Sequence, residues 1–241
     1  MTARLVRIDG RDAAEQMAID EALARAPQAG PVLRLYRWPA PAVSWGYFLD
    51  GDALAAALGE GYDQHQMVRR PTGGGLVEHG RDLTYTLVLP TAGCNERGLT
   101  VDQAFIVASR LVWGALRRAG VQATTAVGAP LERPSACAST PVSGDALIDG
   151  LKVAGCAARR MRGTMLLQGY VALDLLERHE LTWSALADAL TAQAQTLWPM
   201  PWRADALTDT ERASVVQLAE QRYRTAAWNR VPNITEAVTP R

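Results

Sequence analysis

Apolar residues recur along this chain with two periods, and the switches between them mark the elements. Between Asp12 and Ala26, the residues Ala14, Met17, Ala18, Ala22 and Leu23 fall on one helical face. Asp12 followed by Glu15 has the form of a capping box at the start of that helix. VLRLYRW (Val32–Trp38) reads as a strand closed by prolines at 39 and 41, and Asp52–Leu58 as a short helix. TYTLVL (Thr84–Leu89) reads as a buried strand ended by Pro90. Thr100 and Gln103 form a second capping box. The helix they open carries Phe105, Ala108, Val112, Ala115 and Ala119 at helical spacing and stops at Gly120.

Asp149-Gly150 between apolar residues is a hairpin signal, with Lys152 at the start of its second strand. GTMLLQGYVAL (Gly163–Leu173) supplies the next strand. Two helices follow, roughly Trp183–Leu197 and Thr208–Tyr223, the latter opened by a third capping box, Thr208 and Glu211. Helices interleave with strands, but a hairpin sits in the middle, so the sheet cannot be all parallel. The expected class is α+β, or mixed α/β: a central, mostly antiparallel or mixed sheet flanked by helices. No repeat, low-complexity tract or linker divides the 241 residues, so 1–241 reads as a single domain.

Composition narrows the function classes. Lys plus Arg (25) equals Asp plus Glu (25), so no bulk charge argues for nucleic acid. The cysteines, Cys94, Cys137 and Cys156, are odd in number and lack metal-like spacing, which argues against a disulfide framework or a zinc site. No basic-then-apolar leader and no apolar run of membrane-spanning length occurs, which leads us to expect a soluble, cytoplasmic protein with no membrane partner.

The densest chemical signal is VRRPTGGGLVEHG (Val68–Gly80). Gly73, Gly74 and Gly75 let backbone approach a ligand closely and can present amides to an anion. Arg69 and Arg70 add charge suited to a carboxylate or phosphate. The spacing is neither that of a P-loop nor of a dinucleotide fingerprint. The same residues would also serve as a flexible hairpin tip with solvated arginines. Lys152, between Gly150 and Gly155, can supply a point charge to an activated acyl group, or be an ordinary surface lysine. Cys137, in PSACAST, can be an acyl nucleophile if its thiol is acidified, or an inert buried thiol. Cys156 reads as a core residue of a strand. His79 is a candidate base or orienting group for which no carboxylate partner is evident in sequence.

Together these segments resemble the family of lipoate-protein ligases and octanoyltransferases, whose catalytic domain is related to that of biotin protein ligases. The resemblance runs in order through MAIDEAL (Met17–Leu23), LRLYRWPAPAVSWGYF (Leu33–Phe48), RRPTGGGLVEHGRDLTYTLVLP (Arg69–Pro90), GDALIDGLKVAGCAARR (Gly144–Arg160), GTMLLQG (Gly163–Gly169) and YRTAAWN (Tyr223–Asn229). It implies a biotin/lipoate ligase-type, class II synthetase-like catalytic domain. Arg70, Gly73, Gly74, Gly75 and His79 would line a slot for a medium-chain acyl group and its activated head, with Gly155 beside it. Lys152 would offset negative charge developing on the reacting oxygens. Asp145 matches an acidic residue near the adenylate and would hold Mg2+. The chain departs from the family pattern in having Gly80 after His79, Gly155-Cys156-Ala157-Ala158 after the lysine, and Gln168-Gly169-Tyr170 in the following strand. It also has no room for the C-terminal accessory domain that some ligases carry, so a separate chain is a candidate to supply one.

Two enzymatic readings follow. In the first, placed ahead, a ligase activates lipoate or octanoate with ATP and Mg2+ to acyl-AMP and passes the acyl group to a lysine of a lipoyl-type acceptor. In the second, Cys137, 15 residues before Lys152, takes the acyl group as a thioester from acyl carrier protein or another lipoyl-type domain. Acceptors to consider are a dehydrogenase E2 lipoyl domain, a glycine-cleavage H-type protein or a dedicated lipoate carrier. A third reading, a non-catalytic acyl-carrier-binding protein, fits poorly with the retained glycines and Lys152.

Overall fold

Both periods resolve into a mixed sheet with helices against each face. The computed structural model describes residues 1–51, 54, 66–91, 99–125 and 145–230, and the expected helix over Asp52–Leu58 lies almost wholly outside them. Among the described residues the main sheet has eight strands. They are β1 (Ala3–Arg7), β2 (Val32–Tyr36), β6 (Asp82–Pro90), β7 (Thr124–Thr125), β8 (Ala146–Ile148), β9 (Leu151–Met161), β10 (Thr164–Ala172) and β11 (Trp202–Asp205), in the order β11-β1-β2-β6-β10-β9-β8-β7. β1 runs parallel to both β11 and β2, and every other pairing in this sheet is antiparallel. A second sheet of three strands, β4 (Gln66–Arg69), β3 (Ala42–Trp45) and β5 (Val77–His79), carries the glycine-rich segment between its outer strands.

Alternation along β2 shows how one sheet serves two cores. Leu33 and Leu35 pack toward α2 (Val101–Arg118) and α3 (Trp183–Leu197), while Val32 and Tyr36 pack toward α1 (Ala13–Arg25) and α4 (Asp209–Leu218). Successive strand side chains point to opposite faces, so a strand buried on both sides reads as a continuous apolar run. β6 is such a strand, buried from Asp82 to Leu89. The Asp149-Gly150 hairpin is present, with φ of 50° and 80° at the two turn residues, the left-handed pair that this dipeptide favours.

The three capping boxes form as expected at Asp12, Thr100 and Thr208. The apolar face of α2 is rotated relative to the sequence reading. Leu111 and Leu116 join Ala108, Val112 and Ala115 in the core, and Phe105 moves to the edge of a cavity. The last long helix stays α-helical to Leu218, passes through a π-turn at Ala219–Tyr223, and is followed by α5 (Ala226–Arg230).

α1 departs most from its sequence reading. It is buried nearly all round, and its polar residues Gln16, Asp20 and Glu21 lie inside with the apolar ones. Each is partnered, as a buried polar group must be. Asp20 pairs with Arg34 of β2 at 2.5 Å, both side chains being fully buried, and also accepts from Tyr36 Oη and Gln168 Nε2. Arg34 donates further to the carbonyl and side chain of Gln16. Glu21 accepts from Arg25, Arg222 and Tyr223. A stripe of small apolar residues on α1 therefore understates its burial, because three polar residues are neutralised by neighbours distant in sequence.

Removing one partner of the buried Asp20–Arg34 pair leaves an uncompensated charge. Asp20→Ala is expected to lose about 3–5 kcal/mol of stability in a urea titration. Adding Arg34→Met should recover much of that loss; a double variant as unstable as the single one would contradict this account.

Candidate active site

A glycine loop, a hairpin lysine and a buried histidine meet around one cavity of about 220 Å³ between the main sheet and the three-stranded sheet. Seven of the residues expected in the site line it: Arg70, Gly73, Gly74, Gly75, His79, Lys152 and Gly155. Most of the remaining lining is apolar or aromatic, including Met17, Tyr36, Trp38, Leu76, Val77, Phe105 and Ala157. Such a slot fits a chain of methylene groups that leaves water.

The glycine loop owes its shape to two close approaches. Gly74 has φ of +90°, which disfavours a side chain, and a Cβ there would lie 3.3 Å from Arg70 Nη2. A Cβ on Gly46, in the turn after β3, would lie 1.9 Å from the Gly74 carbonyl oxygen. Two backbones thus pass against each other where the loop meets the slot. The strand end that leads into the loop is tied down by α5: Trp228 Nε1 donates to the Arg69 carbonyl, and the Arg69 amide donates to Asn229 Oδ1.

The two arginines take different places. The Arg69 guanidinium is buried between the rings of Tyr47 and Trp228, 4.8 and 4.4 Å from their centroids, and is part of the packing. Arg70 Nη2 donates to the carbonyls of Gly73 and Gly75 at 3.1 and 2.7 Å, and Nη1 to Ser44 Oγ at 2.8 Å. Burial lowers the Arg70 pKa to about 10, so it remains a cation at neutral pH.

His79 has the carboxylate partner that sequence did not reveal. Its Nδ1 lies 2.9 Å from Asp82 Oδ2, and its Nε2 lies 2.7 Å from Ser44 Oγ. Asp82 is three residues on, beyond the turn between β5 and β6, where Gly80 has φ of +128°. The spacing His79-Gly80-Arg81-Asp82 was the available signal, but only the turn aims the two side chains at each other. Burial tends to raise the Asp82 pKa. Its interaction with His79 and hydrogen bonds from Thr84 and the Gly80 amide outweigh that and hold it below the usual carboxylate value. Trp38 stacks on the His79 ring at 4.1 Å.

Lys152 follows the β8–β9 turn, and its Nζ lies 2.7 Å from Asp145 Oδ2, with both side chains largely buried. Gly155 makes room for it, since a Cβ there would lie 2.7 Å from Lys152 Cε and 3.0 Å from Asp145 Oδ1. The expectation that Asp145 holds Mg2+ meets a different partner, the Lys152 ammonium. Among the described residues no group of three His, Cys, Asp or Glu side chains is gathered for a metal. Ser44 and Trp38 are slot residues given no role in sequence, and Gln168, noted there as a departure from the family pattern, lines the slot as well. Gln168 joins the loop to α1 by accepting from Thr72 Oγ1 at 2.8 Å and donating to Asp20 Oδ2 at 2.7 Å. Nothing in the spacing of Ser44 and Trp38 singles them out.

Cys137 and Cys94 lie outside the described residues. Cys156 lines the slot, but burial and the nearby Asp145 carboxylate push its thiol up to about 12. Half-buried Cys156 is thus held as the protonated thiol, and the thiolate is the nucleophile. Among the described residues no helix is long and apolar enough to cross a membrane.

The lipoyl protein ligase A/B catalytic domain family matches residues 12–199. An octanoyltransferase LipM from Kyrpidia tusciae is 35% identical over 192 residues, covering 72% of this chain and 67% of that protein. A second octanoyltransferase LipM, from Halalkalibacterium halodurans, is 28% identical and covers 95% and 98%. Among solved structures, a putative lipoate protein ligase from T. acidophilum superposes with a TM-score of 0.80 at 24% identity, covering 95% and 99%. Lipoate-protein ligase A bound with ATP gives 0.76 at 24% identity, covering 95% and 98%. At these identities the two structures establish a shared fold.

The raised thiol of Cys156 is checked by alkylation. With iodoacetamide at pH 8, peptide mapping should find Cys156 unmodified in the folded protein and alkylated in urea. Rapid labelling of the folded protein would show that the thiol is neither shielded nor raised.

Proposed function

The chain belongs to the lipoyl protein ligase A/B catalytic domain family, and from that premise we propose that it is an octanoyltransferase using Cys137 as its acyl-thioester nucleophile. Membership makes it an enzyme of the lipoate ligase or octanoyltransferase kind. The names of its relatives favour the second of the two sequence readings over the ATP-dependent ligase that was placed first. The structural observation that supports acyl transfer of either kind is the placement of Lys152. Its ammonium is held by Asp145 beside a mainly apolar slot that the glycine loop also lines. That pairs a bed for a medium-length acyl chain with a fixed positive charge for its carbonyl.

In the proposed reaction an octanoyl thioester of a carrier protein enters the slot. The Cys137 thiolate attacks the carbonyl carbon, and the Lys152 ammonium offsets the charge that develops on the oxygen. The carrier's C–S bond breaks, its thiolate leaves and takes up a proton, and the octanoyl group remains on Cys137 Sγ. The amine of an acceptor lysine then attacks this thioester, an amide forms, the amine loses a proton, and the Cys137 thiol is restored. The raised Cys156 thiol supports assigning the nucleophile to a different cysteine. A thioester donor is already activated, so the proposed transfer consumes no ATP. Arg70, Gly73, Gly74, Gly75, His79 and Gly155 line the acyl site in this reading.

The proposed acceptor is a lipoyl-type domain. One fold neighbour is described as a bi-partite lipoate protein ligase and its E2 lipoyl domain, from Thermoplasma acidophilum, which supports that class of partner. We read residues 1–241 as one catalytic unit acting on separate donor and acceptor proteins.

Incubation with octanoyl-acyl carrier protein should add the mass of one octanoyl group to the protein, and Cys137→Ala should abolish that adduct and transfer to a lipoyl domain. Lys152→Ala should lower kcat by about 10²–10³. ATP-dependent modification of the lipoyl domain by free octanoate, persisting in Cys137→Ala, would establish the ligase reading instead.

A further inference from the structure

We propose that Ser44, His79 and Asp82 are positioning residues for acyl transfer, forming a buried relay that fixes Arg70 and, through it, the shape of the glycine loop. The proposal rests on the slot being the acyl site. The direction of the Arg70 bond follows from what a guanidinium can donate, and the relay assigns the directions at Ser44 and His79. A guanidinium only donates, so Arg70 Nη1 gives a proton to Ser44 Oγ at 2.8 Å. The Ser44 hydroxyl is then free to donate to His79 Nε2 at 2.7 Å. With Nε2 accepting, the imidazole proton sits on Nδ1 and is donated to Asp82 Oδ2 at 2.9 Å. A second path ends at the same carboxylate: Trp38 Nε1 donates to Thr84 Oγ1 at 2.8 Å, and Thr84 Oγ1 donates to Asp82 Oδ2 at 2.6 Å.

Asp82 therefore ends two chains of hydrogen bonds, and His79 and Ser44 join it to Arg70. This leaves Arg70 Nη2 for the carbonyls of Gly73 and Gly75. A direct Arg–carboxylate pair would draw the guanidinium away from those carbonyls. The relay also forms part of the slot wall, since Trp38, Ser44, Arg70, His79 and Thr84 all line it. Loss of a relay hydrogen bond would move the wall that meets the acyl chain. A displacement of about 1 Å in positioning groups can cost on the order of a hundredfold in rate.

Ser44, His79 and Asp82 have the order of a hydrolytic triad. Two features oppose that role: Arg70 already donates to the Ser44 oxygen, and Ser44 is fully buried. Hydrolysis is therefore one of the results that would overturn the proposal.

The test uses the full chain with Ser44→Ala, Ser44→Thr and Asp82→Asn. Asp82→Asn keeps volume but offers His79 Nδ1 an amide donor, which reverses the relay, and it carries the test if Ser44→Ala does not fold. Steady-state transfer from octanoyl-acyl carrier protein to a lipoyl domain gives kcat and KM, and hydrogen exchange reports on the amides of Gly73 to Leu76. We expect kcat to fall about tenfold to a hundredfold in Ser44→Ala and Asp82→Asn, with KM for the donor changed less. Exchange at Gly73–Leu76 should rise in both, and Ser44→Thr should restore both readouts. A lower melting temperature with kcat and loop exchange unchanged would reduce the relay to scaffolding and overturn the proposal. So would octanoate release by the wild type that disappears in Ser44→Ala while transfer continues. If the wild type accepts no octanoyl group, the functional reading fails by itself, and the exchange comparison still decides whether the relay holds the loop.

Discussion

A loop that lies against a sheet must find partners for its own peptide groups, and here Arg70 meets that requirement. Its guanidinium donates to two carbonyls of the glycine loop and to Ser44, so one side chain shapes the loop from within. Both loop carbonyls are part-buried, so each bond replaces water that the loop has partly lost. Packing alone could not hold this segment, because three glycines contribute no side chains to pack and resist ordering most strongly. The polar contacts that satisfy the loop are therefore also the contacts that define it.

Those contacts pass outward to all the layers around the slot. Thr72 joins the loop to Gln168 of β10, and Gln168 joins Asp20 of α1, which is paired with Arg34 of β2. On another side, Trp228 and Asn229 of α5 grip the backbone at Arg69. α1 is buried almost all round because its acidic and amide side chains end in these networks. In a low-dielectric interior such a network is costly when incomplete and rigid when satisfied. That rigidity suits a site whose ligand is an apolar chain, since hydrocarbon offers few directional contacts of its own.

Charge in the slot is arranged so that the cations stay fixed and one thiol stays quiet. Asp145 holds the Lys152 ammonium, and the lack of a side chain at Gly155 leaves space for the pair. The same carboxylate helps keep the Cys156 thiol protonated, behind the larger effect of burial. A slot cysteine of this kind packs as a small apolar residue.

Much of the fold was legible because it is written in local rules. The capping boxes at Asp12, Thr100 and Thr208, the buried run of β6, and the turn at Asp149-Gly150 each need only neighbours within a few residues. β1, β11 and the three-stranded sheet were missed, since these short strands owe their existence to pairing with distant partners. The sequence alone also singled out Arg70, the three glycines, His79, Lys152 and Gly155, because their chemistry and their family resemblance are visible residue by residue. It could not determine which way those groups point. Only the tertiary structure turned Arg69 into packing and Arg70 toward loop carbonyls, gave His79 its carboxylate across the Gly80 turn, and placed Lys152 against Asp145. The physical reason is that a polar side chain entering a buried site takes whatever partner lies within hydrogen-bond reach, and that partner is chosen by how the sheets and helices pack, not by its distance along the chain.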